Sequence, residues 1–238
     1  MLHRCARFTV VLVGMLALTG ASPGQKTDPP KPADAAKAKK ALQDVQDFIG
    51  VWKLEGTQKA AGKTEAWKED VAWGWKFKGD EAWMSVSFAG GKGKYFTKGD
   101  LKYVVEKKKY QLTITGADKA EQVFEGDLAK GALVLLREDA KTKDKYKLTL
   151  NTLADGIRFS VKYEKQDGGR GLFASVYNMN GNKDGESFAG GAKKPECIVT
   201  GGAASIAVSF GGATYYVCCS GCRDAFNETP EKFVKKKP

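Results

Sequence analysis

Histidine is almost missing from this chain of 238 residues: there is one, His3, and none after it. That excludes Ser-His-Asp hydrolysis, Cys-His proteolysis and His-ligated zinc hydrolysis. Cysteine is absent from position 6 to position 196, so no disulfide framework is stapled across the long middle of the chain. No apolar run after residue 18 is long enough to span a bilayer. No glycine-rich phosphate loop leads into a helix, and no pair of acidic residues sits in a recognisable catalytic motif. No enzyme is predicted. Arginine is scarce too: the net charge of +11 is carried almost wholly by lysines scattered through turns, with short runs at Lys107–Lys109 and Lys235–Lys237. Nucleic-acid sites concentrate arginine and aromatics on one face, so a solvated lysine-rich surface is predicted and no nucleic-acid partner.

What is present begins with a targeting pattern. Arg4 and Arg7 precede a short apolar stretch from Thr9 to Leu18, and small residues follow at Gly20, Ala21 and Ser22. This is the layout of a secretory signal peptide over residues 1–21, cleaved near Ala21; an uncleaved anchor is the alternative. Cleavage removes His3 and Cys5 and lowers the formal charge to about +9. The expectation is an exported protein, periplasmic or secreted, with no stable membrane anchor. Residues 22–43 hold four of the seven prolines and read as a disordered or extended tether up to Lys40. Ala41–Phe48 has apolar residues at helical spacing, enough for one or two turns.

Beyond it the period changes to two. Val71, Trp73, Trp75 and Phe77 alternate with polar or small residues. So do Met84, Val86 and Phe88; Tyr110, Leu112 and Ile114; Tyr146, Leu148 and Leu150; and Phe159, Val161 and Tyr163. Turn residues such as Lys78-Gly79-Asp80, Gly90-Gly91 and Asp167-Gly168-Gly169 separate the runs. The fold class predicted is mainly β, an antiparallel up-and-down barrel or sandwich of 8–10 strands over residues 44–180, with the barrel favoured because closure removes exposed edges. Residues 181–194 are read as a linker, flexible from Asn178 on. Trp67, Trp73, Trp75 and Trp83 either line a pocket for a small apolar ligand or fill the core, and the filled core is preferred. The segment Phe48-Ile-Gly-Val-Trp52 resembles the Gly-x-Trp opening of lipocalin-like (calycin) barrels. The resemblance implies that Trp52 closes one end of the barrel under an arginine from a late strand, Arg158 or Arg170.

The chemistry lies in residues 195–238, which hold Cys197, Cys218, Cys219 and Cys222. Ile206, Val208 and Phe210 alternate, Gly211-Gly212 turns the chain, and Tyr215 and Val217 alternate back, a β-hairpin that runs into Cys218. A short helix is predicted over Cys219–Phe226 and a second from Pro230, N-capped by Thr229, giving a small ββα(α) module. The spacing Cys-x20-Cys-x3-Cys returns three soft sulfurs to one place, a site for Zn²⁺, Cu(I) or a heavier soft cation. With no histidine to complete a tetrahedron, the fourth ligand falls to Cys219, water, Glu196, Asp224 or a partner; three-coordinate Cu(I) needs none. Disulfides are the alternative use of these cysteines in an oxidising compartment.

The stretches Cys197-Ile-Val-Thr-Gly201, Tyr215-Tyr-Val-Cys218, Cys222, Phe226 and Pro230-Glu-Lys-Phe233 together resemble the YHS domain, a relative of the TRASH metal-binding domains. The resemblance implies metal coordination by Cys197, Cys218 and Cys222. Two positions depart from the family pattern: Ile198 replaces the usual proline, and Cys219 stands where many members have serine. The leading function is therefore an exported non-enzymatic binder of a soft metal ion. A lipocalin-like carrier of a small apolar ligand, with the cysteines as a structural clip, is the runner-up. A thiol redox protein using Cys219-x-x-Cys222 ranks last.

Overall fold

The computed structural model describes residues 31–60, 62–153, 156–185 and 194–234. The segment 1–21 read as a signal peptide, with His3 and Cys5, the part of the expected tether up to residue 30, most of the 181–194 segment and the lysines at 235–237 lie outside the described residues.

Ten strands follow one another in sequence order and close into a barrel. They are β1 (Gly50–Ala60), β2 (Lys63–Lys78), β3 (Glu81–Phe88), β4 (Phe96–Val104) and β5 (Lys109–Gly116), then β6 (Glu121–Ala129), β7 (Ala132–Glu138), β8 (Lys145–Leu153), β9 (Arg158–Gln166) and β10 (Ala174–Lys183). Every neighbour pair is antiparallel, and β10 returns to β1 with Trp52 opposite Lys183 and Thr57 opposite Asn178. Closure leaves no free edge around the ring, as the alternating pattern requires. The predicted alternation holds: Val71, Trp73, Trp75, Met84, Val86, Leu112, Ile114, Leu148, Leu150, Phe159 and Val161 are all buried. They face one continuous core, with polar residues between them facing outward.

Two segments taken from composition as linkers are regular structure. Helix α1 spans Pro32–Gln43, although the tether reading runs to Lys40. Alanine and lysine are strong helix formers, and a proline in the first turn costs nothing because its missing N–H is an orphan there anyway. Only Ala35 and Leu42 of the helix are buried, too thin a stripe for periodicity to reveal. The helix covers one end of the barrel, where the β3–β4 ladder stops at Met84↔Leu101 and the two strands part. Tyr110 in β5 donates its hydroxyl to the Ala41 carbonyl at 2.8 Å, which latches the helix in place. The second correction is at the other end of the domain. Residues 178–183, read as flexible, form the second half of β10. Their Asn and Gly have low strand propensity, but ladders on both sides, to β1 and β9, override it.

The barrel is consistent with the lipocalin-like resemblance, with one substitution of role. Trp52 is fully buried, donates its indole N–H to the Phe48 carbonyl at 2.8 Å and stacks on Phe159. The cation over its ring is Lys183, 4.8 Å from the centroid. Arg158 and Arg170, the expected partners, are exposed. Lys183 wins because the closing register sets it directly opposite Trp52. No helix among the described residues is long and apolar enough to cross a membrane.

The C-terminal module is a two-stranded sheet, β11 (Ile206–Phe210) and β12 (Ala213–Val217), followed by helix α2 (Ser220–Glu228). Gly211 and Gly212 both have positive φ, which the tight two-residue turn between these strands demands. Phe226 in α2 is almost fully buried, flanked by Phe210, Tyr215 and Phe233, and is worth about 1.5–3 kcal/mol of burial. The second predicted helix is a single 3₁₀ turn, Pro230–Lys232, and Thr229 makes no side-chain cap.

Candidate metal centre

Three local structures deliver one sulfur each. Cys197 opens a tight turn: its N–H donates to the Gly202 carbonyl at 2.7 Å, and its carbonyl accepts from Gly201 at 2.8 Å. The turn is hung on the hairpin, since Ile198 donates to Tyr216 and Ser205 to Val217. Cys218 follows the last residue of β12 directly, and Cys222 lies in the first turn of α2. Helix α1 holds the Cys197 turn from the other side. Lys39 Nζ donates to the Val199 carbonyl at 2.8 Å, and Gln43 Nε2 to the Thr200 carbonyl at 2.7 Å. The segment read as a tether therefore braces the site.

The result brings Cys197, Cys218 and Cys222 together with all three Sγ atoms within 4.8 Å of one another. Cys197 and Cys222 are buried and Cys218 is half-buried; all four cysteines of the module are free thiols. The Cys218 and Cys222 sulfurs are 3.5 Å apart, and Thr200 Oγ1 lies 3.6 Å from Cys218 Sγ. A tetrahedral ion with metal–sulfur bonds of about 2.3 Å has sulfur–sulfur edges of about 3.8 Å, so the spacing suits one soft cation. Hydrogen bonds from Cys218, and then from Cys222, push the Cys197 thiol far below its ordinary value. Contact with Cys197, and then with Cys219, pushes Cys218 upward, and contact with Cys197, Cys218 and Cys219 pushes Cys222 upward, because thiolates already stand beside them. Cys219 is also held low, at about 3, by its contacts with Cys218 and then Cys222. The sulfurs thus share protons unevenly, with negative charge on Cys197 and Cys219, an arrangement that a cation can take over. Lys39 and Lys183 supply compensating charge. Burial lowers both pKa values, and attraction to Cys222 and Cys197, or to Asp47 and Cys218, opposes it.

The other expected ligands lie outside this group. Cys219 caps the N-terminus of α2, and its sulfur accepts the backbone N–H of Trp75 at 3.4 Å. Asp224 is exposed and engaged by Arg223 at 3.2 Å. The carboxylate of the exposed Glu196 lies over Gly201. Sequence reasoning missed Lys39, Lys183 and the Trp75 backbone, which only the tertiary fold brings to the site, and gave no role to the Thr200 hydroxyl, which the Cys197 turn sets beside Cys218. One signal was available: Gly221, a glycine inside the first turn of a nine-residue helix, marks a close approach of backbone.

No family profile matches the chain, and no curated protein does. Among solved structures, the crystal structure of Rv2717c from M. tuberculosis is similar over 60% of this chain and 97% of that chain, at 14% identity and a TM-score of 0.40.

Proposed function

We propose that this protein is an exported, non-enzymatic carrier or buffer of one soft metal ion, Zn²⁺ or Cu(I), held by Cys197, Cys218 and Cys222. The observation that carries the reading is the meeting of three sulfurs within 4.8 Å, two of them buried, on a turn, a strand end and a helix start. Thiolates select Cu(I) and Zn²⁺ over hard cations, and the lack of histidine leaves sulfur as the dominant donor. Three thiolates around Zn²⁺ leave one net negative charge, and around Cu(I) two; Lys39 and Lys183 stand where that charge is offset. Export is supported by the signal-like pattern of residues 1–21.

The test is metal analysis of anaerobically purified protein with parallel thiol counting. About one equivalent of zinc or copper per chain is expected, and Cys197→Ser and Cys222→Ser should each abolish it. Unchanged stoichiometry in both variants ends the proposal.

A further inference from the structure

We infer that the slot in the barrel wall between α1 and the parted ends of β3 and β4 is a second binding site, for a small arylalkylamine in its positively charged form. The inference uses neither the barrel lumen nor the cysteines.

The slot begins where the β3–β4 ladder stops, at Met84↔Leu101. Continued in the same register, Trp83, Ala82 and Glu81 would meet Lys102, Tyr103 and Val104, yet no backbone bond crosses between them among the described residues. These strand ends are not frayed. Trp83 and Glu81 remain paired with Lys76 and Lys78 of β2, and Lys102 and Val104 with Gln111 and Lys109 of β5. Each strand is thus held from its far side, and the gap between them is fixed in advance. α1 faces the gap with Asp34, Ala35 and Ala38, and alanine is too short to fill the space. A cavity of about 180 Å³ remains. An apolar cavity of about 150 Å³ admits one benzene ring, so a single aromatic ring matches the size of this one.

The walls specify what that ring should carry. Met84 and Leu101 are buried in the core, so Trp83 and Lys102 beside them face outward, on the solvent side of the barrel wall. Trp83 spends its indole N–H on Asp100 at 3.0 Å, which fixes the ring and leaves its face to stack on a second one. Lys102 Nζ lies 5.4 Å from the centre of the Trp83 ring, so the face already draws an ammonium. Three carboxylates line the slot. Asp34 is engaged by Lys37 at 3.2 Å, whereas Glu81 and Glu106 have no hydrogen-bond or ion-pair partner among the described residues. An ammonium brings three donors and no acceptor, which suits carboxylates that lack a partner. An anion would meet those carboxylates with Lys102 as the one cation in the lining.

The experiment titrates the whole protein calorimetrically with 2-phenylethylamine, its neutral isostere 2-phenylethanol and the anion 3-phenylpropionate. The amine is expected to bind one per chain, about tenfold more tightly than the alcohol, with the anion weakest, as a charge-assisted hydrogen bond implies. Ala38→Leu fills the cavity and should abolish binding. The double variant Glu81→Gln/Glu106→Gln should bring the amine and the alcohol to equal affinity. Lys102→Met removes the competing ammonium and should tighten the amine. No saturable amine binding, equal affinity for amine and alcohol in the unmutated protein, looser amine binding in Lys102→Met, or full amine affinity in a folded Ala38→Leu protein each overturns the inference. Should Ala38→Leu fail to fold, a preference for the amine that survives Glu81→Gln/Glu106→Gln overturns it instead.

Discussion

The backbone N–H of Trp75 donates to the sulfur of Cys219 at 3.4 Å, across 144 residues of chain. The relationship follows from strand lengths. β1 begins at Gly50, opposite Trp73, so the last part of β2 has no strand on that side. Helix α2 covers the bare edge instead. One residue therefore joins two places: the Trp75 indole is fully buried in the barrel core, and its backbone meets the loop that carries the sulfurs.

Gly221 allows that contact. A Cβ at this position would stand 1.7 Å from the Trp75 carbonyl oxygen. Backbone cannot yield as a flexible side chain does, so Gly221→Ala must shift α2 off the edge of β2. A loss of about 1–3 kcal/mol is expected, seen as a fall of roughly 2–10 °C in Tm. Weaker metal binding should accompany it, because Cys222 lies in the same helical turn. An alanine variant with unchanged Tm and metal affinity rules out the docking as described.

Cys219 is expected to act as an edge acceptor and not as a metal ligand. Cys219→Ala should keep about one ion per chain, whereas Cys218→Ser should lose it. The cost of Cys219→Ala should be small, about 0.5–1.5 kcal/mol, the worth of one hydrogen bond. Cys219→Ser keeps an acceptor and should recover part of that stability. Metal loss in Cys219→Ala equal to that in Cys218→Ser would make Cys219 the fourth ligand.

Much of this was legible in the sequence, and the physics says why. Runs such as Val71-Ala-Trp73-Gly-Trp75 give strands because a half-buried sheet has a period of two, and closure follows from having many such strands and no covering helices. The hairpin at Gly211-Gly212 and the sulfur meeting point were legible because both depend on local spacing. α1 was not, since alanine contributes little hydrophobic contrast and four prolines dominate the composition around it. Nor were Asn178–Lys183 legible as strand, since their conformation is imposed by β1 and β9 and not by their own side chains. Trp75 meets the Cys219 sulfur across 144 positions, and Lys39 meets the Val199 carbonyl of the Cys197 turn across 160, so only the tertiary fold brings them to the site.

Oxidation should compete directly with metal. Cys218 and Cys222 already have their sulfurs 3.5 Å apart, four positions from each other across the strand-to-helix junction. A thiol oxidant such as diamide takes up the two hydrogens as the disulfide forms, removing two of the three ligands at once. Treated protein should lose two titratable thiols and its ion, and a dithiol reductant should restore both. Peptide mapping should find the bond between Cys218 and Cys222. Metal bound beforehand should slow the reaction, because coordinated thiolates are less available to the oxidant. Oxidation that leaves the ion in place would show that these sulfurs do not hold it.

At high pH the fold should fail through its tyrosines. Burial pushes Tyr110 and Tyr163 up to about 12, and Tyr177 well above its ordinary value. A phenol whose folded pKa exceeds its unfolded value near 10 favours the folded state while it is neutral. Its contribution is complete below about pH 10 and is lost as the pH rises through about 12. Absorbance titration should therefore show these three tyrosines silent until the far-ultraviolet circular dichroism of the barrel collapses. Tyr110→Phe isolates one of them. It keeps the ring and removes the donor to Ala41, so it should loosen α1 by about 0.5–1.5 kcal/mol without touching the barrel strands. Because α1 also holds the Cys197 turn through Lys39 and Gln43, metal affinity should fall in that variant although no sulfur has changed. An unaltered affinity would mean that the hairpin alone positions Cys197.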